Sequence, residues 1–200
     1  MMRHSFTLLF FLFVQFKLIG QVPIFTHNYK LQDTVDILPV YSLINDYEFS
    51  LTYLDDAYYL SGNKDYKVLA FRNNKWIALS FPYYKDQNND TLIKKEPKKL
   101  QGKYYIENEN LKIEDVNSLL DFFSANSFWT LNEDSLSKIE KARIYDATNF
   151  RFNAFTPTKQ RVIQSYAPDF YVSQSKGMAD RRKFILCRDE FLKWWQKYCR

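Results

Sequence analysis

The chain reads as an α+β domain: an antiparallel sheet built from hairpins, with one central helix and one C-terminal helix packed against it. Three observations predict this. Phe49-Ser50-Leu51-Thr52-Tyr53-Leu54 and Asn149 to Phe155 alternate on a two-residue period, as half-buried strands do. Tyr66 to Phe71 and Trp76 to Phe81 are rich in β-formers and are separated only by Arg72-Asn73-Asn74-Lys75. That spacer is a hairpin turn, because Asn tolerates the left-handed conformations such turns need. Finally, Val116, Leu119, Leu120 and Phe123 recur at i, i+3, i+4 and i+7, the stripe of an amphipathic helix. Strands in adjacent antiparallel pairs, with helices between and after them, define the class.

Taken in order, residues 1–20 have the layout of a secretory signal. Met1 to Ser5 carries Arg3, Phe6 to Val14 is an apolar stretch, and Gly20 is a small residue before a cut ahead of Gln21. The stretch falls short of the ~20 apolar residues a bilayer-spanning helix needs. Cleavage after Gly20 and release into the periplasm or medium is therefore expected. The alternative is a domain that stays tethered to the membrane by residues 6–19. Membrane contact is expected through this segment alone. Residues 21–200 then form one domain.

Residues 21–48 show no sustained period and read as an irregular lead-in to the first strand. Tyr58-Tyr59-Leu60 is a further short strand candidate, ended by Ser61-Gly62-Asn63. Residues 82–102 are polar and lysine-rich, a long loop or a boundary between lobes. The central helix spans Ile113 to Ser124, and Phe128, Trp129 and Leu131 pack beneath it. Thr156-Pro157-Thr158-Lys159 makes a turn, with Arg161 to Tyr166 as the returning strand. Phe184, Cys187, Phe191, Trp194 and Tyr198 mark one face of a last helix, from about Asp180 to Tyr198.

That helix decides the redox question. An exported chain with two cysteines invites a disulfide. A rise of 1.5 Å per residue, however, sets the Cα atoms of Cys187 and Cys199 ~18 Å apart. A disulfide tolerates no more than about 7 Å, so no bridge is expected within the chain.

Composition narrows the function classes. Removing residues 1–20 takes away Arg3 and Lys17 and no acid, so the formal charge of +5 falls by two to +3. The densest basic run, Lys94-Lys95-Glu96-Pro97-Lys98-Lys99, lies in the polar connecting segment and reads as solvated surface. Nucleic acid is not an expected partner, since it would want arginines and aromatics along one groove rather than a lysine run in a loop, and export takes the chain away from it. After the leader is gone His27 is the sole imidazole, which leaves no Ser-His-Asp, Cys-His or zinc arrangement with matching spacing. Asp86-Gln87-Asn88-Asn89-Asp90-Thr91 begins like a calcium loop but lacks its turn Gly and closing Glu. With Gly62, Gly102 and Gly177 as the only remaining glycines, there is no phosphate cradle. No cofactor or metal is expected.

Three groups of candidate residues remain. Aromatics make up 18% of the chain, and Trp76, Tyr83 and Tyr84 beside the first hairpin are candidates for an exposed ligand platform, against core packing. The acid pairs Asp55-Asp56, Glu133-Asp134 and Asp189-Glu190 are candidates for carboxylate chemistry, against ordinary surface solvation. Thr34, Thr91 and Ser135 each follow Asp and precede an aliphatic residue, the form of an O-glycan acceptor in some Gram-negative bacteria.

Phe128-Trp129, Asp146-Ala147, Phe150-Arg151-Phe152-Asn153, Tyr166, Pro168 and Cys187 together resemble a pattern of uncharacterised exported bacterial proteins of unknown function. The resemblance covers about a third of the chain. It implies a hairpin followed by a closing helix, and bacterial export. In that pattern Gly stands at position 147, Trp at 150 and Glu at 153; here they are Ala, Phe and Asn. The one residue of the pattern with catalytic potential is thus replaced. The sequence therefore predicts an exported protein of non-enzymatic binding or interaction type, with a small extracytoplasmic carboxylate hydrolase as the alternative.

Overall fold

The computed structural model describes residues 22–25, 46–57, 66–83, 98–100, 103–137, 144–145, 147–174 and 177–199. Its strands are β1 (Phe49–Ala57), β2 (Tyr66–Arg72), β3 (Lys75–Tyr83), β4 (Lys98–Leu100), β5 (Lys103–Asn108), β6 (Thr148–Thr156) and β7 (Lys159–Tyr166). Together they form a seven-stranded sheet in the order β4-β5-β3-β2-β1-β6-β7, with every neighbouring pair antiparallel. The helices are α1 (Ile113–Ala125), α2 (Glu133–Ser137), α3 (Pro168–Gln174) and α4 (Ala179–Tyr198), with a 3-10 turn at Phe128–Thr130. This is the α+β arrangement of hairpins and helices that the sequence predicts. Among the described residues, no helix is long and apolar enough to cross a membrane.

Local chemistry accounts for the hairpins. Asn73 and Asn74 both sit in the left-handed region, at φ 51° and 59°. Two such residues in succession give the turn whose twist matches that of the flanking strands. Asn73 N–H also donates to Glu48 Oε1 at 3.0 Å, tying the turn to the residue before β1. At the second hairpin Lys159 N–H donates to Thr156 Oγ1 at 3.1 Å, across the closing pair Thr156 and Lys159.

One face of the sheet carries the main core. Phe49, Leu51 and Tyr53 of β1, Leu69 and Phe71 of β2, and Phe152 and Ala154 of β6 meet Val116, Leu119, Leu120 and Phe123 of α1. Phe184, Cys187, Phe191, Trp194 and Trp195 of α4 complete it. Phe152 is the common neighbour, its ring 4.8 Å from Tyr53, 5.0 Å from Phe128, 5.4 Å from Phe191, 5.9 Å from Phe184 and 6.0 Å from Phe123. Cys187 and Cys199 form no disulfide with each other; Cys187 is buried, and burial pushes its thiol pKa up to about 12.

Several features differ from the sequence reading. The alternation predicts Ser50 and Thr52 at the solvated face of a half-buried strand, yet each is 1% exposed. The second sheet face is buried too, around Tyr47, Leu54, Tyr66, Val68, Ala70, Ile77, Leu79 and Phe155. The segment 82–102 is not wholly a loop: Pro82 and Tyr83 finish β3, and Lys98 to Leu100 pair with β5 as β4. The returning strand ends at Tyr166 as expected, but Pro168 then opens the unpredicted short helix α3, because a helix's first position needs no N–H from it. In the lead-in, Phe25 and Tyr47 are buried at 5% exposure, so part of it is built into the fold. The strand candidate at 58–60 and the leader at 1–20 lie outside the described residues.

Phe152 is fully buried between the sheet and both long helices. Phe152→Ala is expected to cost about 3–5 kcal/mol in urea unfolding followed by tryptophan fluorescence.

Candidate functional site

An open cleft among the described residues lies where the start of the domain meets the end of α1. The apolar stripe of α1 gives way to Ser124-Ala125-Asn126-Ser127, and the helix must reverse there. Ser127 makes the reversal in the left-handed region, at φ 57°, a position usually given to Gly. The cap is closed by Asn126 Nδ2 donating to the Phe122 carbonyl at 2.9 Å and by Thr130 Oγ1 donating to the Ser127 carbonyl at 3.2 Å. This turn sends Phe128 and Trp129 back under the helix, and Trp129 Nε1 donates to Ser124 Oγ at 3.1 Å.

Phe25 fills the space beside Trp129. Its ring stacks on Trp129 at 6.3 Å with an interplanar angle of 28°, and meets Phe49 edge-on at 6.2 Å. Anchored there, Val22, Pro23 and Ile24 form one wall of an open cleft of about 750 Å³. Leu120, Asp121 and Ser124 of α1 form the second wall, and Ser127, Trp129 and Thr130 form the third. The cleft is apolar at Val22, Leu120 and Trp129, with hydroxyls around them and Asp121 as the charged group among these residues. Ile24 stands at its rim 91% exposed. Such a mixture of apolar walls and a few polar groups suits reversible binding of a partly apolar ligand.

The sequence's own candidates go elsewhere. Trp76 is 4% exposed and packed between Phe71 and Phe49, with ring centroids at 4.9 and 5.9 Å, so it serves the core and presents no platform. Tyr83 ends β3 opposite Tyr104, while its side chain and the whole of Tyr84 lie outside the described residues. Of the glycan candidates, Ser135 is exposed on α2; Thr34 and Thr91 lie outside the described residues.

The acids are engaged in structural contacts. Asp169 accepts two hydrogen bonds from the Arg188 guanidinium, at 2.5 and 2.9 Å, and Asp189 accepts one from Arg188 Nε at 2.8 Å. Arg188 itself lies over the Phe150 ring. Glu190 pairs with Lys193 at 3.6 Å, Asp55 accepts the Tyr53 hydroxyl, and Asp115 binds Lys197 and Tyr198. Lys197 and then Tyr198 hold the Asp115 carboxyl below its ordinary pKa, and Arg188 does the same for Asp169. A general acid needs the opposite shift. Asp56 has no described side chain, and Glu133 and Asp134 lie on the first turn of α2.

Asn153, where the exported-protein pattern has Glu, faces the second side of the sheet at 1% exposure. Among the described residues, neither atom of its carboxamide has a hydrogen-bonding partner, and neither has Ser50 Oγ nearby on β1. No known protein family matches the chain, and no curated protein matches it.

The sequence reading missed Phe25, Asp121, Ser124 and Ser127. A usable signal existed in Ser-Ala-Asn-Ser followed by Phe-Trp, a helix stop leading straight into two large rings.

Two outcomes follow. Asp169 stabilises the fold through its depressed pKa, so its contribution is complete at neutral pH and is lost as pH falls below its ordinary value of 3.8. Asp169→Asn should flatten the acid limb of a plot of Tm against pH, at a cost under about 1 kcal/mol at pH 7 because the carboxylate is largely exposed. Asn153→Leu removes two orphaned polar atoms at similar volume and should raise the urea midpoint, by about 1 kcal/mol of stability.

Proposed function

We propose that the protein is an exported, non-enzymatic binding protein that takes a partly apolar ligand in the cleft between Val22–Ile24, the end of α1 and Trp129. The single observation behind this reading is the make-up of that cleft: apolar walls, hydroxyls around them, and one carboxylate at Asp121. The carboxylate favours a neutral or cationic ligand over an anionic one. Export is carried by the leader, which delivers the domain to the periplasm or the medium once the bond after Gly20 is cut. The carboxylate-hydrolase alternative is supported less well, because Asp115 and Asp169 have their pKa values drawn down by cationic neighbours.

Nile red, a neutral apolar dye, tests the reading on the mature chain, residues 21–200. Binding should raise and blue-shift its emission. Ile24→Asp changes a side chain that is 91% exposed and so leaves Tm unchanged. It should weaken the dye's affinity at least about tenfold, the effect of 1.4 kcal/mol. Absence of dye binding, or binding indifferent to Ile24→Asp, would reject this site.

A further inference from the structure

We propose that the cleft selects a small organic cation whose positive nitrogen carries N–H, an ammonium or iminium group on an apolar body. This ligand class rests on the binding reading above and narrows the same site. The hydrogens of the cleft wall are already spent inside the fold. Ser124 Oγ donates to the Leu120 carbonyl at 2.9 Å and accepts the Trp129 Nε1 hydrogen at 3.1 Å. Thr130 Oγ1 donates to the Ser127 carbonyl at 3.2 Å. The backbone N–H groups of Ser127 and Thr130 go to the Ser124 and Ser127 carbonyls, each at 3.0 Å. Pro23 has no N–H to give. Lone pairs are what remain: Ser124 and Thr130 can each accept a further hydrogen bond, and the Asp121 carboxylate can only accept. Among the described side chains lining the cleft, Ser127 Oγ is the hydroxyl that keeps its hydrogen. Side chains that offer acceptors and few donors match a ligand that brings the donors.

Charge points the same way. Asp121 lies on α1 one turn before its end at Ala125, with no hydrogen bond or ion pair to another described residue. Among the described residues, no Lys or Arg lines the cleft, and α1 has no basic residue in its last turn. The C-terminal end of a helix carries a partial negative charge, so an acid near it is opposed by the helix itself. Glu114 and Asp115 occupy the favourable end of α1, and Asp115 is paired with Lys197 as well. Asp121 forgoes both advantages and adds its charge to the negative end, beside the cleft. A cationic N–H group seated between Asp121 and the hydroxyls relieves that charge and takes up the spare lone pairs. An anion or a carbonyl-tipped molecule would set its own lone pairs against those of the wall. The apolar body of the ligand has Leu120, Trp129 and the exposed Ile24 to cover, and it leaves water in doing so.

Nile blue and Nile red test this class on the mature chain, residues 21–200. The two dyes share one fused-ring body, and Nile blue ends in a charged iminium N–H group where Nile red has a carbonyl. Affinities are read by fluorescence anisotropy at low salt. Asp121→Asn keeps the size of an exposed side chain and removes its charge, so Tm should stay level or rise slightly. The ratio of Nile blue to Nile red affinity should fall about threefold to fivefold in this variant, the upper range of an exposed ion pair. Added salt should weaken Nile blue binding in the wild type more than in Asp121→Asn. Glu114→Gln, exposed at the opposite end of α1, controls for the overall field of the chain and should leave the ratio unchanged. A ratio that Asp121→Asn does not move, or that Glu114→Gln moves as much, overturns the proposal. Nile red binding that is sensitive to Ile24→Asp, with a ratio unmoved by Asp121→Asn, keeps the cleft and rejects the cation. Failure of both dyes to bind rejects the cleft and the cation together.

Discussion

The fold depends on one ring. The Phe152 ring touches Tyr53 of β1, Phe184 and Phe191 of α4, α1's Phe123 and the 3-10 turn's Phe128 at once. Its contacts with Phe123, Phe128, Phe184 and Phe191 are all edge-on, at 77° to 87°, the arrangement that aligns a ring's positive edge with a neighbour's negative face. Each such pair adds about 0.5–1.5 kcal/mol beyond area burial. The ring also sets the angular relation of α1 and α4 to the sheet, because both helices present a Phe to it. Trp129 lies next to Phe128 at 5.0 Å, so the cleft wall inherits its position from the same lattice.

Buried arginines fix what the rings do not reach. Arg181 is 1% exposed and donates through Nε and Nη2 to the Leu136 carbonyl, at 3.0 and 2.9 Å, with its plane over Tyr171 at 4.5 Å. Ser165 Oγ shares the same acceptor at 3.2 Å, and Arg161 takes the Leu131 carbonyl at 2.7 Å. These donors satisfy carbonyls at either end of the short segment carrying α2, which a five-residue helix cannot satisfy internally. Arg188 works differently, joining α4 to α3 through Asp169. The connection between the central helix and the second hairpin is thus held by side chains from β7 and α4. That leaves the C-terminal end of α1 as the place where the layer is open.

How much of this was legible follows from periodicity. The long helices and the two well-formed hairpins were readable because each places apolar residues on a single face, and Asn73-Asn74 supplied a turn with its own chemistry. The burial of Ser50, Thr52 and Asn153 was hidden, since a polar residue on an alternating strand normally marks solvent. β4 escaped because lysines at 98 and 99 look like a solvated loop, and pairing with β5 is a backbone matter that side-chain type does not announce. Arg181 and Arg188 could have been found: their seven-residue spacing puts them on the same stripe as Phe184 and Phe191, which marks two buried cations in need of acceptors. The cleft was not legible, because it needs Phe25 to reach Trp129 across more than a hundred residues.

The distribution of cost across the molecule bears on binding versus catalysis. Departures from the most stable choice include Ser127 and Ala167 in a glycine's backbone conformation, and the unpaired carboxamide of Asn153. A non-glycine residue in that conformation gives up about 1–2 kcal/mol, and an unpaired buried amide a similar amount. Natural chains tolerate such costs most readily where a side chain is needed for something other than stability. Ser127 meets that condition, since glycine there would close the helix better but strip a hydroxyl from the cleft wall. Asp115 and Asp169 tell the complementary story, because their placement beside cations lowers their proton affinity and adds to stability above the acid range. At Ser127 this chain gives up stability for a hydrogen-bonding group lining a cleft, while Asp115 and Asp169 hold helices together.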